Sequence, residues 1–340
     1  MQIDGKDIRL NSKTYVSMKV TTDLGGGDVS IPAHVISGPE KGRTLTVLSL
    51  VHGNEWWTHE VVRRLVQRTQ SSALAGTLIV IPVANPVAFN YLRRYTVDET
   101  DSTDLNRVFP GHFNSITEQL ASKLATEIFA NSDCVIDFHM GKWGNFLGDV
   151  SYGMDFPNAE TVKESDALAR AFGYPCIRRF KVASFPGPKS IIGYLGLVLG
   201  KPSLAVEIGC AGFEEALEEK WINTNLTGIE NVMKHLKMLK GVPKLPEKYL
   251  IWEKRWRIEP HFAGIIDPKV PSDSAMREVE KDDLLGEVLS PYSFDVIEEL
   301  KAPGKGIIYY YARRQPCRPG SGGFGVVDLN DKNTKWISAT

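Results

Sequence analysis

Cysteine is scarce in this 340-residue chain, and its four copies, Cys134, Cys176, Cys210 and Cys317, are far apart. No C-x-x-C pair occurs, which excludes a disulfide framework, a zinc ribbon and a thioredoxin-like redox motif. Isolated thiols of this kind are expected to be buried or inert in a reducing compartment. Charge of one sign is lacking too: 40 basic and 41 acidic residues nearly cancel. That balance argues against a nucleic-acid partner and against an anionic membrane surface. Long apolar runs are missing. The stretch from Ile191 to Leu199 is interrupted by Gly193 and Gly196, so no segment reads as a membrane span. The opening MQIDGKDIRL is polar and is not a secretory signal. A cytoplasmic location is the expectation. No internal repeat or low-complexity tract is present.

What is there is ordinary for a globular protein: 42% hydrophobic and 24% charged residues. The length suggests about two domains. Leu45 to Val51, Leu78 to Val83, Cys134 to Phe138 and Leu204 to Ile208 are short apolar runs that read as buried strands. Between them lie helical patterns. Trp56, Trp57, Val61, Val62, Leu65 and Val66 recur at helical spacing over Glu55 to Gln70. Ser115 and Glu118 form a capping-box pair ahead of Ile116, Leu120, Leu124 and Ile128, which share one helix face. A long helical pattern runs from Phe213 to Lys240, with Gly241 and Pro243 as its stop. Strand–helix alternation predicts a three-layer α/β/α domain with a mixed, mostly parallel sheet. From about Trp252 the texture becomes β-rich, with Ile307 to Ala312 and Phe324 to Leu329 as strands. The expected division is a catalytic α/β domain over 1–248 and a small β-barrel or sandwich domain over 249–340.

The residues with chemical potential stand where strands end. His52 follows the first strand directly and Glu55 comes three residues later, with Gly53 and Asn54 suited to a sharp turn. An imidazole and a carboxylate suit a catalytic zinc, which takes three protein ligands and keeps a place for water. Alone the pair means little, because seven histidines and 41 acids in 340 residues give roughly 0.8 chance matches of H-x-x-[DE]. A hydrogen-bonded turn would explain it equally well. Context changes the weight. His139 follows the Cys134 to Phe138 strand, and Glu207 sits at the end of a third. An ionised Glu in an apolar strand is costly without a partner or a task; the plain alternative is a salt-bridged core acid. Arg107, in Asp104-Leu105-Asn106-Arg107, either makes ordinary surface ion pairs or grips a substrate carboxylate with its planar fork.

The ordered set VHGNE (51–55), ANPVAF (84–89), DLNRVFPG (104–111), DFHMG (137–141) and VEIG (206–209) resembles the succinylglutamate desuccinylase/aspartoacylase family, a branch of the zinc carboxypeptidase superfamily. The likeness spans about residues 30 to 330. It implies that His52, Glu55 and His139 hold one zinc ion per chain and that Glu207 is the general base and acid. It implies that Arg107, helped by Asn106, binds the substrate's carboxylate. Arg94, in preference to its neighbour Arg93, matches the arginine that polarises the scissile carbonyl. Asn54 stands where the family more often has Asp, at a position that is not a ligand. Asp104 or Asp137 is expected behind a ligand imidazole. Trp56 and Trp57 line the pocket or simply pack. Lys301 to Gly306 resembles part of the family's appended β domain, which is reminiscent of lipoyl and biotinyl carriers. The Met-Lys-Met carrier hairpin is absent.

The remaining histidines read as surface or core residues. Arg63 stands where a zincin motif begun by His59-Glu60 needs its second His. His112, next to the DLNRVFPG loop, is the one other histidine near enough in sequence to approach the pocket. The implied reaction is hydrolysis of an amide in a small N-acyl amino acid. A peptide-cleaving zinc carboxypeptidase and a non-catalytic zinc-binding protein on the same fold are the alternatives. The first would prefer peptides to N-acyl amino acids, and the second would show no zinc-dependent hydrolysis. The partner expected is a small carboxylate-bearing molecule, with a homodimer as the expected assembly.

Overall fold

The structure is a computed structural model and describes residues 1–97, 101–141, 145–146, 148–209, 215–271 and 276–339. Its centre is a sheet of ten strands: β1 Ser12–Thr22, β2 Asp28–Ser37, β3 Glu40–Leu48, β4 Ala75–Ile81, β5 Cys134–His139, β6 Asp149–Gly153, β7 Cys176–Phe180, β8 Ser203–Glu207, β9 Lys248–Trp252 and β10 Lys335–Ser338. Their order across the sheet is β10-β9-β7-β6-β8-β5-β3-β4-β2-β1. Five of the nine pairings are parallel: β3 with β4 and β5, β5 with β8, β7 with β6 and β9. Direction reverses between β8 and β6, which pair antiparallel.

Strands with both faces covered have no polar side, which is why their sequences read as continuous apolar runs. On one face Leu45, Val47, Ile136, Phe138, Val150, Ile177, Leu204 and Val206 pack against the helices Trp57–Arg68, Ala159–Phe172 and Glu215–His235. Each such side chain withdrawn from water contributes about 2 kcal/mol. On the other face Leu48, Ile79, Ile81 and Val135 meet Leu120, Leu124 and Ile128. Those three residues form the stripe expected from the sequence, on the helix Ile116–Lys123 and its continuation Leu124–Phe129. The Ser115 hydroxyl caps this helix by accepting from the Glu118 N–H at 3.2 Å.

The longest helix is shorter than its pattern suggested. It ends at His235, and Lys237 takes a left-handed φ of 60°. The Lys237 N–H donates to the Lys234 carbonyl at 3.0 Å and the Met238 N–H to the Met233 carbonyl at 2.7 Å. This is a Schellman turn with lysine where glycine is usual. It turns Met238, 1% exposed, back into the core. Burial of Met238 therefore outweighs the glycine stop signal at Gly241.

The C-terminal part consists of two antiparallel sheets. One orders Arg255–Ile258, Phe324–Asp328, Gly306–Tyr311 and Glu278–Val279, with the Asn145–Phe146 backbone pairing onto Gly306–Tyr311. The other orders Val296–Lys301, Leu284–Leu289, Gly264–Pro268 and Gln315–Cys317. They share a core of Ile266, Leu285, Val288, Leu300, Phe324 and Val326. Through Ile307, Tyr309 and Val327 this part packs on Cys176, Leu250 and Trp252 of the large sheet, and β9 and β10 tie it in. No helix among the described residues is long and apolar enough to cross a membrane.

Candidate metal centre

Chain path explains why His52 and Glu55 face one point. After β3 the backbone must turn sharply over the Pro86–Asn90 helix, and a Cβ on Gly53 would lie 2.1 Å from the Ala88 carbonyl carbon. Only glycine fits there. Just before it, buried Leu50 holds a left-handed φ of 54°, a strained conformation for a side chain of its size. The strain is held in place by backbone bonds, with Ser49 and Leu50 carbonyls accepting from Ala84 and Asn85. The turn closes with Glu55 N–H donating to the His52 carbonyl at 3.1 Å.

His139 is the last residue of β5, and Glu207, the last of β8, lies directly beside it in register. Register neighbours share a sheet face, so Asp137, His139 and Glu207 project on the same side. Glu55 joins the two imidazoles. Its carboxylate accepts from His52 Nδ1 at 2.8 Å and from His139 Nδ1 at 3.0 Å. The opposite ring nitrogens are taken as well: His52 Nε2 lies 3.1 Å from Asp104, and His139 Nε2 lies 2.9 Å from Asp137. The sequence left Asp104 and Asp137 as alternatives; the structure places one behind each imidazole.

His52, Glu55, Asp137 and His139 are buried, and Asp104 and Glu207 are partly buried. Burial works against a charge on His52 and His139, yet the flanking carboxylates raise both above the ordinary histidine value, His139 by far the more. Burial likewise opposes ionisation of Glu55, but His52 and His139 hold its carboxyl well below the usual range. Asp104 is lowered in the same way by His52, Arg94 and Arg107.

The donor set fits a metal ion. Ligand atoms of His52, Glu55 and His139 lie within 4.8 Å of one another. A tetrahedral zinc with bonds of about 2.0–2.1 Å needs donors about 3.3 Å apart, so the Glu55 contacts would open slightly and the widest pair of donors would close. A cation would replace the protons now shared between the Nδ1 atoms and Glu55. Among the described residues this is the one group of three or more His, Cys, Asp or Glu side chains placed to hold a metal ion.

Of the two adjacent arginines, Arg94 is at the site. Its guanidinium donates to Asp104 at 3.2 Å and stands 3.6 Å from Glu55, while Arg93 is exposed. Asn106 is pinned between the Ile191 N–H, at 2.8 Å on its Oδ1, and His139, 3.4 Å from its Nδ2. Arg107 lies over the Phe185 ring at 5.4 Å, and burial lowers its pKa. The Glu207 side-chain Oε2 is buried and has no hydrogen-bond partner among the described residues. Burial, with smaller contributions from Glu55 and Asp149, pushes its carboxyl up to about 7 against the pull of His139.

Other expectations resolve plainly. Trp57 packs on the core, while Trp56 is 43% exposed with its ring 4.9 Å from that of Trp57. His112 is exposed. Cys134, Cys176 and Cys317 are free and buried, and Cys210 lies outside the described residues. Three charged residues on the far side of Glu207, Asp149, Arg178 and Arg255, were not singled out from sequence.

The family model for the succinylglutamate desuccinylase/aspartoacylase catalytic domain matches residues 41–236, more than half the chain. The chain belongs to the succinylglutamate desuccinylase/aspartoacylase family. The family is one of amide-cleaving deacylases. Solved members of similar shape include a succinylglutamate desuccinylase from a Silicibacter species, with TM-score 0.80 and 20% identity over 94% of this chain and 97% of that one. A succinylglutamate desuccinylase/aspartoacylase from Rhodobacter sphaeroides gives 0.78 and 22% over 96% and 99%. A product-bound ectoine utilization protein from Ruegeria pomeroyi gives 0.79 and 22% over 94% and 96%. At such identities the likeness is one of fold. Among curated proteins no match was found. For this family member the matched span contains the His52, Glu55, His139 and Glu207 positions.

Proposed function

We propose that this chain is a zinc-dependent deacylase that cleaves the amide of a small N-acyl amino acid or related carboxylate-bearing amide. The observation that carries the reading is the His52–Glu55–His139 donor cluster with the Glu207 carboxyl in register beside it. When bound there, zinc supplies Lewis-acid polarisation and lowers the pKa of water towards about 7. The rest is done by side chains. Glu207, with a carboxyl near pH 7 and a buried Oε2 without a hydrogen-bond partner, accepts the proton of the attacking water and returns it to the leaving amine. Arg94 donates to the oxygen that becomes anionic as the carbonyl turns tetrahedral. Arg107 and Asn106 hold the substrate's carboxylate so that the amide is presented in one orientation.

The division of the chain belongs to the same proposal. Residues 1–248 supply every group in this scheme, and the β-rich 249–340 packs on the large sheet through Ile307, Tyr309 and Val327.

The test is a panel of N-acyl amino acids and peptides offered to zinc-loaded protein and to Glu207→Gln. Loss of about 10²–10⁴ in kcat with zinc stoichiometry retained is the expected result. Near-normal turnover by the Gln variant would remove Glu207 from the chemistry, and cleavage of peptides alone would replace the deacylase reading.

A further inference from the structure

Arg94 belongs to a loop that apolar packing does not hold. From Tyr91 to Val97 only Thr96 is buried, while Tyr91, Leu92, Tyr95 and Val97 are exposed. Leu92 takes a left-handed φ of 49°. A leucine keeps that conformation only where its surroundings fix it. The hydrophobic burial that fixes the sheet is thus lacking where the arginine beside the metal cluster has to be placed.

A run of buried hydrogen bonds does the holding instead. Asn85 Nδ2 donates to Thr96 Oγ1 at 3.3 Å, and the Thr117 hydroxyl donates to the same oxygen at 2.5 Å. One hydroxyl oxygen can accept both. Each end of the run is tied down. Thr117 is in the first turn of the helix Ile116–Lys123, and its N–H donates to the Asp101 carboxylate at 2.8 Å. That carboxylate also accepts from the Thr103 N–H at 3.2 Å, on the far arm of the loop. Asn85 is fixed by its Oδ1, which caps the Pro86–Asn90 helix by accepting from the Ala88 N–H at 3.0 Å. Its own N–H donates to the carbonyl of Leu50, the strained residue two places before His52. Asn85 therefore joins the turn that carries His52 and Glu55 to the loop that carries Arg94.

We propose that Thr96 is the positioning residue for Arg94, its hydroxyl anchoring the loop between Asn85 and Thr117 so that the guanidinium stands at a fixed place beside the metal cluster. The step that Arg94 serves rests on the deacylase reading; the anchoring of the loop does not. Directional bonds suit the task, because they fix distance and angle together where an apolar contact would let the loop slide. Without the hydroxyl, two buried donors lose their acceptor and no buried apolar side chain between Tyr91 and Val97 takes over. A misplacement of about 1 Å is enough to cost about 10²-fold in rate.

Thr96→Val keeps the shape of the side chain and removes the hydroxyl. Trypsin cleavage of the folded full chain after Arg93 or Arg94 reads the loop without reference to activity. The Val variant should be cut there at least about tenfold faster than native protein, since cleavage follows the population of the open loop. Thr96→Ser should return the rate to within about twofold of native. Equal rates for native and Val proteins would overturn the anchor. If the Val variant does not fold, Thr117→Val removes one of the two bonds and should speed cutting by about threefold, with an unchanged rate counting against the anchor. Turnover is the second arm. In zinc-loaded protein Thr96→Val should lower kcat by about 10–100-fold and leave KM within about threefold. On an Arg94→Ala background the same substitution should change kcat by less than about twofold, and a full additive loss there would mean that Thr96 does not act through Arg94. If native protein hydrolyses no N-acyl amino acid, the deacylase reading fails, and the cleavage rates still decide whether Thr96 holds the loop.

Discussion

Toward His139, every buried charge beside Glu207 meets an opposite one: His52 and His139 each lie between two carboxylates, and Arg94 closes on Asp104. Toward Asp149 the same kinds of residue stand on the same sheet face, yet Arg178 and Arg255 act on Asp149 through their charge, with no direct ion pair among the described residues. The first flank is internally satisfied and preformed, with protons where a cation would sit. The second is open and strained by its own charge. A preformed cluster suits a resident metal, which stays through many turnovers.

Stability measurements can break this contrast. The largest effect is expected from Glu55→Gln in metal-free protein, since it leaves two buried imidazoles without their shared counter-charge. The cost should be about 3–5 kcal/mol by urea denaturation. A loss under about 1 kcal/mol would mean that the first flank is no network. Next is Asp104→Asn, which keeps the shape behind His52 and removes the charge. Metal affinity should fall about 10–100-fold by competition with a chelator, and an unchanged affinity would detach Asp104 from the ligand.

The smallest effect sharpens the second flank. The folded protein holds the Asp149 proton more tightly than the unfolded chain does, since its carboxyl moves from 3.8 to about 6. Ionisation therefore weakens the fold. The penalty is slight near pH 4, grows between pH 4 and 6, and levels off above pH 6 at of order 2–3 kcal/mol. Asp149→Asn should match the native melting temperature near pH 4 and exceed it at pH 8. A variant that melts lower at pH 8 would put Asp149 among the paired charges.

The candidate metal flank was legible in sequence because its residues obey a positional rule: His52, His139 and Glu207 stand at or just after the ends of apolar strands, where α/β sheets place ligands. Arg94 over Arg93, and a carboxylate behind each imidazole, needed coordinates, since neighbours in sequence differ in direction. The other flank was illegible for a topological reason. Asp149 and Arg178 lie in β6 and β7, short strands carrying charges, and neither strand was read from sequence. That β6 runs against β8 decides that its first residue meets the last residue of β8. Arg255 belongs to a part of the chain whose fold over the sheet no local pattern announces. The long β1 and β2 were also missed, although Val16 and Met18, then Val29, Ile31, Ala33 and Val35, alternate inward; polar residues between them diluted the signal.

The reversal between β8 and β6 has a consequence for how such a protein can change over time. His52, Glu55 and His139 all lie on or after strands on one side of that seam, and Arg178 and Arg255 on the other. A single antiparallel ladder, from Ala205–Ser151 to Glu207–Asp149, joins the two sides. Substitutions at positions 178 and 255 can accumulate without disturbing the turn at Gly53 or the strand end at His139. The two sides of the seam are separate inheritable units, with Glu207 at the hinge between them.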